Sequence, residues 1–185
     1  MDVTKLLEAD HRKVESLFER IEKAEGADRQ PLIDELATSL RAHMQLEEEV
    51  LYPAMGKVTG EEAVAEGNAE HELARKGLAD VVRLAPDDPG FGAALDATKA
   101  GISHHVEEEE DEIFPKLRKN GSILEEIATP FVHKRVELGL SMGADELAAS
   151  STKNDLLAEA RVAGVEGASS MTKRELADAL AAKMS

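Results

Sequence analysis

The sequence contains no cysteine, no tryptophan, one tyrosine and four phenylalanines, so aromatic residues make up only 3 % of it. Without thiols there is no disulfide, no thiolate nucleophile, no iron-sulfur cluster and no cysteine-type zinc site. Any metal held by this chain must be bound by His, Asp or Glu. Positive charge is scarce as well: 22 Lys and Arg stand against 38 Asp and Glu, a formal net charge of -16. General binding to nucleic acid or to an anionic membrane calls for a cationic face, and this balance argues against both. No stretch approaches the ~20 apolar residues of a membrane span. The opening "MDVTKLLEADHRK" lacks the basic start and apolar run of a secretion signal, which makes the cytoplasm the expected location. Runs of β-branched residues are few, and Ala, Leu, Glu and Lys dominate, so helix is favoured almost throughout.

What is present fits one medium domain, or one domain with a small appendage, able to bury a core: 185 residues, 42 % apolar and 32 % charged. Apolar residues recur at steps of three and four in four segments. The first runs from about Val3 to Ala24 and stops near Gly26. The second follows Pro31 and reaches Pro53. The third begins near Thr59, which with Glu62 has the spacing of a capping box, and ends at Leu84. After the turn "APDDPG" at 85–90, the fourth runs from Phe91 to Pro115. Short connections between such segments predict an all-α, up-down-up-down four-helix bundle.

Continued along each segment, the apolar stripes pass through histidines and glutamates. They run 7, 11, 14, 18, 21; then 36, 40, 43, 47, 50; then 64, 67, 71, 74, 78, 81; then 91, 95, 98, 102, 105, 109, 113. His11, His43, Glu47, His71, His105 and Glu109 are thereby predicted to face the core, one histidine from each helix. Residues four apart lie about one turn, ~6 Å, from each other, so His43 with Glu47 and His105 with Glu109 converge on one small volume. A lone histidine on such a stripe reads as an ordinary hydrogen-bonded core residue, the reading given to His133. A buried carboxylate is costly unless it meets a cation, and the arrangement occurs twice: His11 then His43-x-x-x-Glu47, His71 then His105-x-x-x-Glu109. The pattern therefore points to a metal site. Glu48, Glu49, Glu108, Glu110 and Asp111 fall off the stripes and are expected on a solvated acidic face, with His104 and Glu107 beside them.

The stretches "DHRKVESLF", "HMQLEEEVLYP", "AEHELARKGL" and "HHVEEEEDEIFP" resemble those of the hemerythrin-like HHE cation-binding family over residues 1 to about 120. The resemblance implies a bundle around two non-heme iron ions, with manganese or zinc as substitutes, bridged by oxo, hydroxo or water. It implies His11 and His43 on one metal, His71 and His105 on the other, and Glu47 and Glu109 as bridges, with Tyr52 and Phe114 capping the bundle end. Oxygen-carrying hemerythrins place a second histidine four residues after the first on the third helix. Here that position is Arg75, read as bending out to solvent, so one metal position stays open and reversible oxygen carriage is disfavoured.

Beyond the bundle, 121–150 reads as a helical extension around Pro130 followed by the linker "GADELAASS" at 143–151. Residues 151–185 hold two similar starts, "TKNDLLAEA" and "TKRELADAL", each with a Thr able to cap a helix. They resemble the small helix-extended loop-helix modules of the SAP or Rho N-terminal type. Those often bind nucleic acid, but five cations against five acids leave the tail little electrostatic grip, so protein docking or packing is the expectation. The favoured function is a di-iron protein that binds or reacts with a small oxidant (oxygen, nitric oxide or hydrogen peroxide), in a setting of oxidative or nitrosative stress. An iron sensor or store signalling through the tail is the alternative. A metal-free structural bundle is the third reading.

Overall fold

Asp2 opens the first helix: its carboxylate accepts a hydrogen bond from the Thr4 backbone N–H at 3.2 Å, satisfying a donor that a helix start leaves without a partner. In the computed structural model, which describes residues 1–140 and 142–184, α1 then spans Val3–Lys23. α2 covers Arg29–Leu46, α3 Tyr52–Thr59, α4 Glu61–Arg83, α5 Phe91–Glu108 and α6 Phe114–Lys119. No described residue lies in a strand. α1 packs on α2 and α4 on α5, giving two hairpins that close the expected four-helix bundle.

The second and fourth helices do not end at their prolines as expected. Each passes through one five-residue π-helical turn, Glu47–Leu51 and Glu109–Ile113, and then continues as α3 to Thr59 and as α6 to Lys119. Proline lacks an N–H and its ring crowds the carbonyl four residues back, so an unwidened helix would break or kink there. In the wider turn the N–H of Tyr52 reaches the carbonyl of Glu47, and that of Phe114 reaches Glu109, just before Pro53 and Pro115. The third helix also starts differently. Thr59 forms no capping box with Glu62; its hydroxyl donates to the Met55 carbonyl at 3.0 Å, and Gly60 turns the chain with φ +95°, a conformation only glycine adopts without strain.

Two apolar clusters flank the level of the histidines. On one side lie Val14, Phe18, Ile21, Leu36, Leu40, Leu78, Val81, Leu95 and Ile102; on the other lie Leu6, Leu7, Leu46, Leu51, Met55, Phe114 and Leu117. Each such side chain contributes roughly 1.5–3 kcal/mol by burial, which fixes the rigid walls between which polar groups are held.

α7, Gly121–Glu137, lies across the second cluster through Leu124, Ile127, Phe131 and Val132, as the spacing around Pro130 predicts; residue 141 of that extension lies outside the described residues. His133 is exposed rather than buried, and the buried polar residue of this helix is Arg135, 1 % exposed. The stretch read as a linker contains α8, Ala144–Ser150, whose Ser150 carbonyl accepts a hydrogen bond from Asp2 N–H at 2.6 Å. Thr152 and Thr172 form capping boxes with Asp155 and Glu175, starting α9, Lys153–Val162, and α10, Lys173–Lys183. Leu156, Leu176 and Leu180 join the same apolar cluster as Leu6 and Phe114, so the tail shares a core with the bundle.

Candidate metal centre

All six residues expected to face inward are buried, and Glu47 and Glu109 have no exposed surface at all. The Nε2 atoms of His11 and His43 stand 3.2 Å apart, and those of His71 and His105 3.1 Å apart. Glu47 spans the two pairs, with Oε1 3.2 Å from His43 Nε2 and Oε2 3.3 Å from His71 Nε2. Glu109 spans them in the opposite sense, 3.4 Å from His11 and 3.7 Å from His105. None of the four oxygens takes part in a hydrogen bond. Two buried groups of donors result, His11, His43, Glu47 and Glu109 on one side and Glu47, His71 and His105 on the other, each compact enough to hold a metal ion. Imidazole nitrogen and carboxylate oxygen without thiolate suit iron, manganese or zinc.

The outward nitrogens show a second pattern. Glu110 lies 2.8 Å from His11 Nδ1, Glu48 2.8 Å from His71 Nδ1 and Glu70 2.8 Å from His105 Nδ1. Asp10 stands 3.5 Å from His43 Nδ1, a charge contact too long for a good hydrogen bond. A carboxylate on Nδ1 fixes the ring and directs the lone pair of Nε2 inward. Glu48 and Glu110 are therefore not part of a solvated face, as their position off the apolar stripe suggested. Lying one residue past Glu47 and Glu109, they sit at the rim of the core and reach the opposite hairpin. Asp10 and Glu70 went unnoticed in the sequence, although its signal was repeated there: an acid immediately before the first histidine of each hairpin, Asp10-His11 and Glu70-His71. Arg75 does bend outward, where its guanidinium donates to Glu48 at 2.6 Å and so braces the holder of His71.

These contacts move the ionisation of the buried histidines and of Asp10. Although burial favours its neutral form, His105 is raised to about 9 by Glu70 and by the charges of Glu109 and Glu47. His43 is likewise raised well above its usual range by Glu47 and Asp10, against the same opposing burial. Asp10 lies at about 2: burial pushes it up, but His43 and the Arg135 guanidinium outweigh that.

The two halves also differ in the aromatic ring beside the first histidine of each. Phe114 stacks on His11 with ring centroids 5.9 Å apart, and Tyr52 stacks on His71 at 5.2 Å. Tyr52 is more than the cap it was expected to be, because its hydroxyl reaches His71 Nε2 at 3.0 Å. Gly67 makes the space: a Cβ there would lie 2.7 Å from the Tyr52 oxygen. Gly67→Ala should displace the ring and cost about 1–3 kcal/mol of stability. Thermal melting checks this, and a Gly67→Ala, Tyr52→Phe double variant that melts no higher than Gly67→Ala alone would refute the clash as the cause.

The model of the Hemerythrin HHE cation binding domain matches residues 2–117. The chain belongs to this family. A Schizosaccharomyces pombe protein named as hemerythrin-like is 31 % identical over 115 residues, 60 % of this chain and 57 % of its own length. A Nostoc protein named DNA nickase is 27 % identical over 146 residues, 77 % of this chain but 42 % of that protein. The chain thus spans only about half the length of these curated relatives. The crystal structure of a Hemerythrin HHE cation binding domain-containing protein from Mycobacterium kansasii shares the fold, with a TM-score of 0.61 over 95 % of this chain and 99 % of that one at 20 % identity. Within the HHE family segment lie all six inward residues and the four carboxylates behind them, whereas Arg135 lies outside it. Among the described residues, no helix is long and apolar enough to cross a membrane.

Proposed function

We propose that this chain holds a pair of non-heme iron ions and uses them to bind or react with a small oxidant, of the class of oxygen, nitric oxide or hydrogen peroxide. One observation carries the reading: Glu47 and Glu109 are wholly buried, make no hydrogen bond, and lie between four histidine Nε2 atoms. An uncompensated carboxylate pair in such a place is strongly unfavourable, and two cations are what its donors are arranged to receive. His11 and His43 would hold one ion, His71 and His105 the other, with Glu47 and Glu109 shared. Iron bound there supplies the electrons exchanged with the oxidant. The chain's own residues set access and orientation. A cavity of about 20 Å³ adjoins the four histidines, walled by Val14, Leu40, Met44, Ile102 and Val106. It has room for one water-sized molecule and favours a small, weakly polar ligand over a larger or charged one. On the opposite side, burial and the charges of Glu47 and Glu109 keep the Tyr52 hydroxyl protonated, so it serves as a hydrogen-bond donor at the His71 half. Anaerobic iron titration of the metal-free chain, followed by oxygen, nitric oxide or peroxide under optical monitoring, tests the proposal. Binding of about two irons with a spectral response to at least one oxidant is expected. A chain that binds no iron, or whose bound iron responds to none of the three, refutes it.

A second reading is favoured by Arg135. From α7 it pairs with Asp10, the acid behind His43, and α7 shares its apolar cluster with α8–α10. These contacts support a link between metal occupancy and the docking of the tail, as an iron sensor addressing a protein partner would need. Rapid peroxide consumption favours the first reading; metal-dependent hydrogen exchange confined to 144–184 favours the second.

The Nostoc relative's name invites a test for nucleic acid. Arg174, one of five tail cations, is already paired with Asp145 and Asp178. The rest offer few phosphate contacts, and each lost contact lowers the salt slope by roughly 0.9. No appreciable duplex binding is expected at ~0.15 M salt. Submicromolar binding that disappears when residues 152–185 are removed would reverse this.

A further inference from the structure

Three of the four carboxylates that hold the histidine rings are covered on their outer side by arginine. Glu110 pairs with Arg12, Glu48 with Arg75 and Asp10 with Arg135. Glu70 is the exception: among the described residues its ion-pair partners are histidines only. Its Oε2 holds His105, while its Oε1 faces His104 Nε2 at 3.9 Å, and that nitrogen lies 3.5 Å from Glu108. His104, Glu108 and Glu70 bring three donor atoms within 4.8 Å of one another. The pattern His104-x-x-x-Glu108 repeats, one residue earlier on α5, the His105-x-x-x-Glu109 of the buried centre.

Two of these three residues, Glu70 and Glu108, also border an opening inward. A cavity of about 110 Å³ is bordered by the exposed acids Glu66 and Glu112 and by Glu70 and Glu108, and reaches the buried Tyr52 and His105. The cation beside it, Lys116, is drawn to Glu112 at 3.7 Å. Behind His105, the Glu109 carboxylate, fully buried and without a hydrogen bond, faces the ring at 3.7 Å. A cation approaching any of the three arginine-covered positions meets like charge. At Glu70 it meets a cleft in which four acids outnumber one lysine, a net negative wall of the kind that raises local cation concentration and association rate.

We propose that His104, Glu108 and the outer oxygen of Glu70 form a transient site for a divalent cation, through which metal passes along this cavity to His105 and the buried centre. The inference rests on the dinuclear reading above. Glu70 belongs to both sites, one oxygen to the outer donors and one to the His105 ring, so a short rotation of one carboxylate links them. The outer site has one exposed donor, His104, and two partly buried ones, and no bridging group, which suits it to brief residence rather than storage.

The test mixes the metal-free full-length chain with Co²⁺, whose visible absorption reports coordination, and follows the rate and the end point separately. The His104→Ala, Glu108→Gln double variant should fill to the same final content with the same spectrum, at an initial rate lower by about tenfold or more. His104→Arg, which closes the gap in the arginine cover, should slow filling further. Glu19→Gln, the same charge change on an exposed residue of α1, should fill at the parent rate. Filling of the double variant at the parent rate, or equal slowing by Glu19→Gln, overturns the outer site. So does a lower final content in the double variant, which would make these residues structural. A parent chain that takes up no metal overturns the dinuclear centre and the outer site with it.

Discussion

Replacing Glu47 by alanine is expected to reduce the metal held by the chain from a pair of ions to one or none. Glu47 is the one residue of the first hairpin whose two oxygens face both histidine pairs, at 3.2 and 3.3 Å. Its loss removes a donor from each half and leaves the remaining charges less screened from one another. Glu109→Ala should act alike. Glu48→Gln should be milder, lowering affinity about 10–100-fold, because it weakens the hold on His71 without removing a donor. The loss should also appear in melting. A ligand at 100 times its dissociation constant stabilises by about 2.7 kcal/mol. For a chain of this size that corresponds to roughly 5–10 °C, so the variant's melting temperature should rise less than the parent's on adding metal, and not at all if both ions are lost. Metal analysis and paired melts check this, and unchanged stoichiometry in both alanine variants would remove the bridging role.

The metal-free form should lose stability as pH rises above neutrality, whereas the metal-loaded form should hold its stability. In the metal-free chain His105 is raised to about 9, and His43 and His11 are raised too, because buried carboxylates surround them. A group whose folded value is raised contributes its stability in full below its unfolded value of about 6.5, and loses it as pH climbs through the folded value. Between about pH 6.5 and 9 the metal-free chain should therefore lose on the order of 3 kcal/mol from His105 alone, or roughly 6–12 °C in melting temperature. Metal binds only neutral imidazole, so over the same window the increment from metal should grow. Calorimetry at pH 7 should show heats that depend on the buffer, since His43 and His105 must release protons as metal enters. The acid limb has the other sign: Asp10, held at about 2, contributes above its ordinary range, and that contribution disappears as pH falls from about 4 towards 2. Parallel pH curves for the two forms would show that protons and metal do not compete for the cage.

The inward set could be read before any coordinates because an apolar stripe at steps of three and four tolerates few alternatives while the helix is regular. His11, His43, His71 and His105 sit where the stripe places them. The reading slips after Glu47 and Glu109. Val50 and Ile113 were expected in the core and are only partly buried, whereas Leu51 and Phe114 are fully buried. One extra residue in each π-helical turn accounts for the shift, and a 3.6-residue period has no means of announcing it. The acids behind the rings were harder to read, since their value lies in a partner on another helix: Glu110 and His11 are 99 residues apart. Arg135 was less legible still, because helical spacing alone does not say which side of α7 faces a cluster built by four other helices.

The crossed supports also bear on what half of this molecule amounts to. Glu48 of the first hairpin steadies His71 of the second, Glu110 of the second steadies His11 of the first, and each bridging carboxylate reaches across in the same sense. A single hairpin carries one copy of every part, a pair of histidines, a shared carboxylate, an acid before and an acid after, but arranged so that the acid after serves only a neighbour and the shared carboxylate faces both. Such a unit is self-complementary under a two-fold rotation, as the surfaces of a symmetric dimer are. An isolated hairpin of this design completes a centre only by pairing with a second one, and the covalent chain here makes that pairing intramolecular, independent of protein concentration.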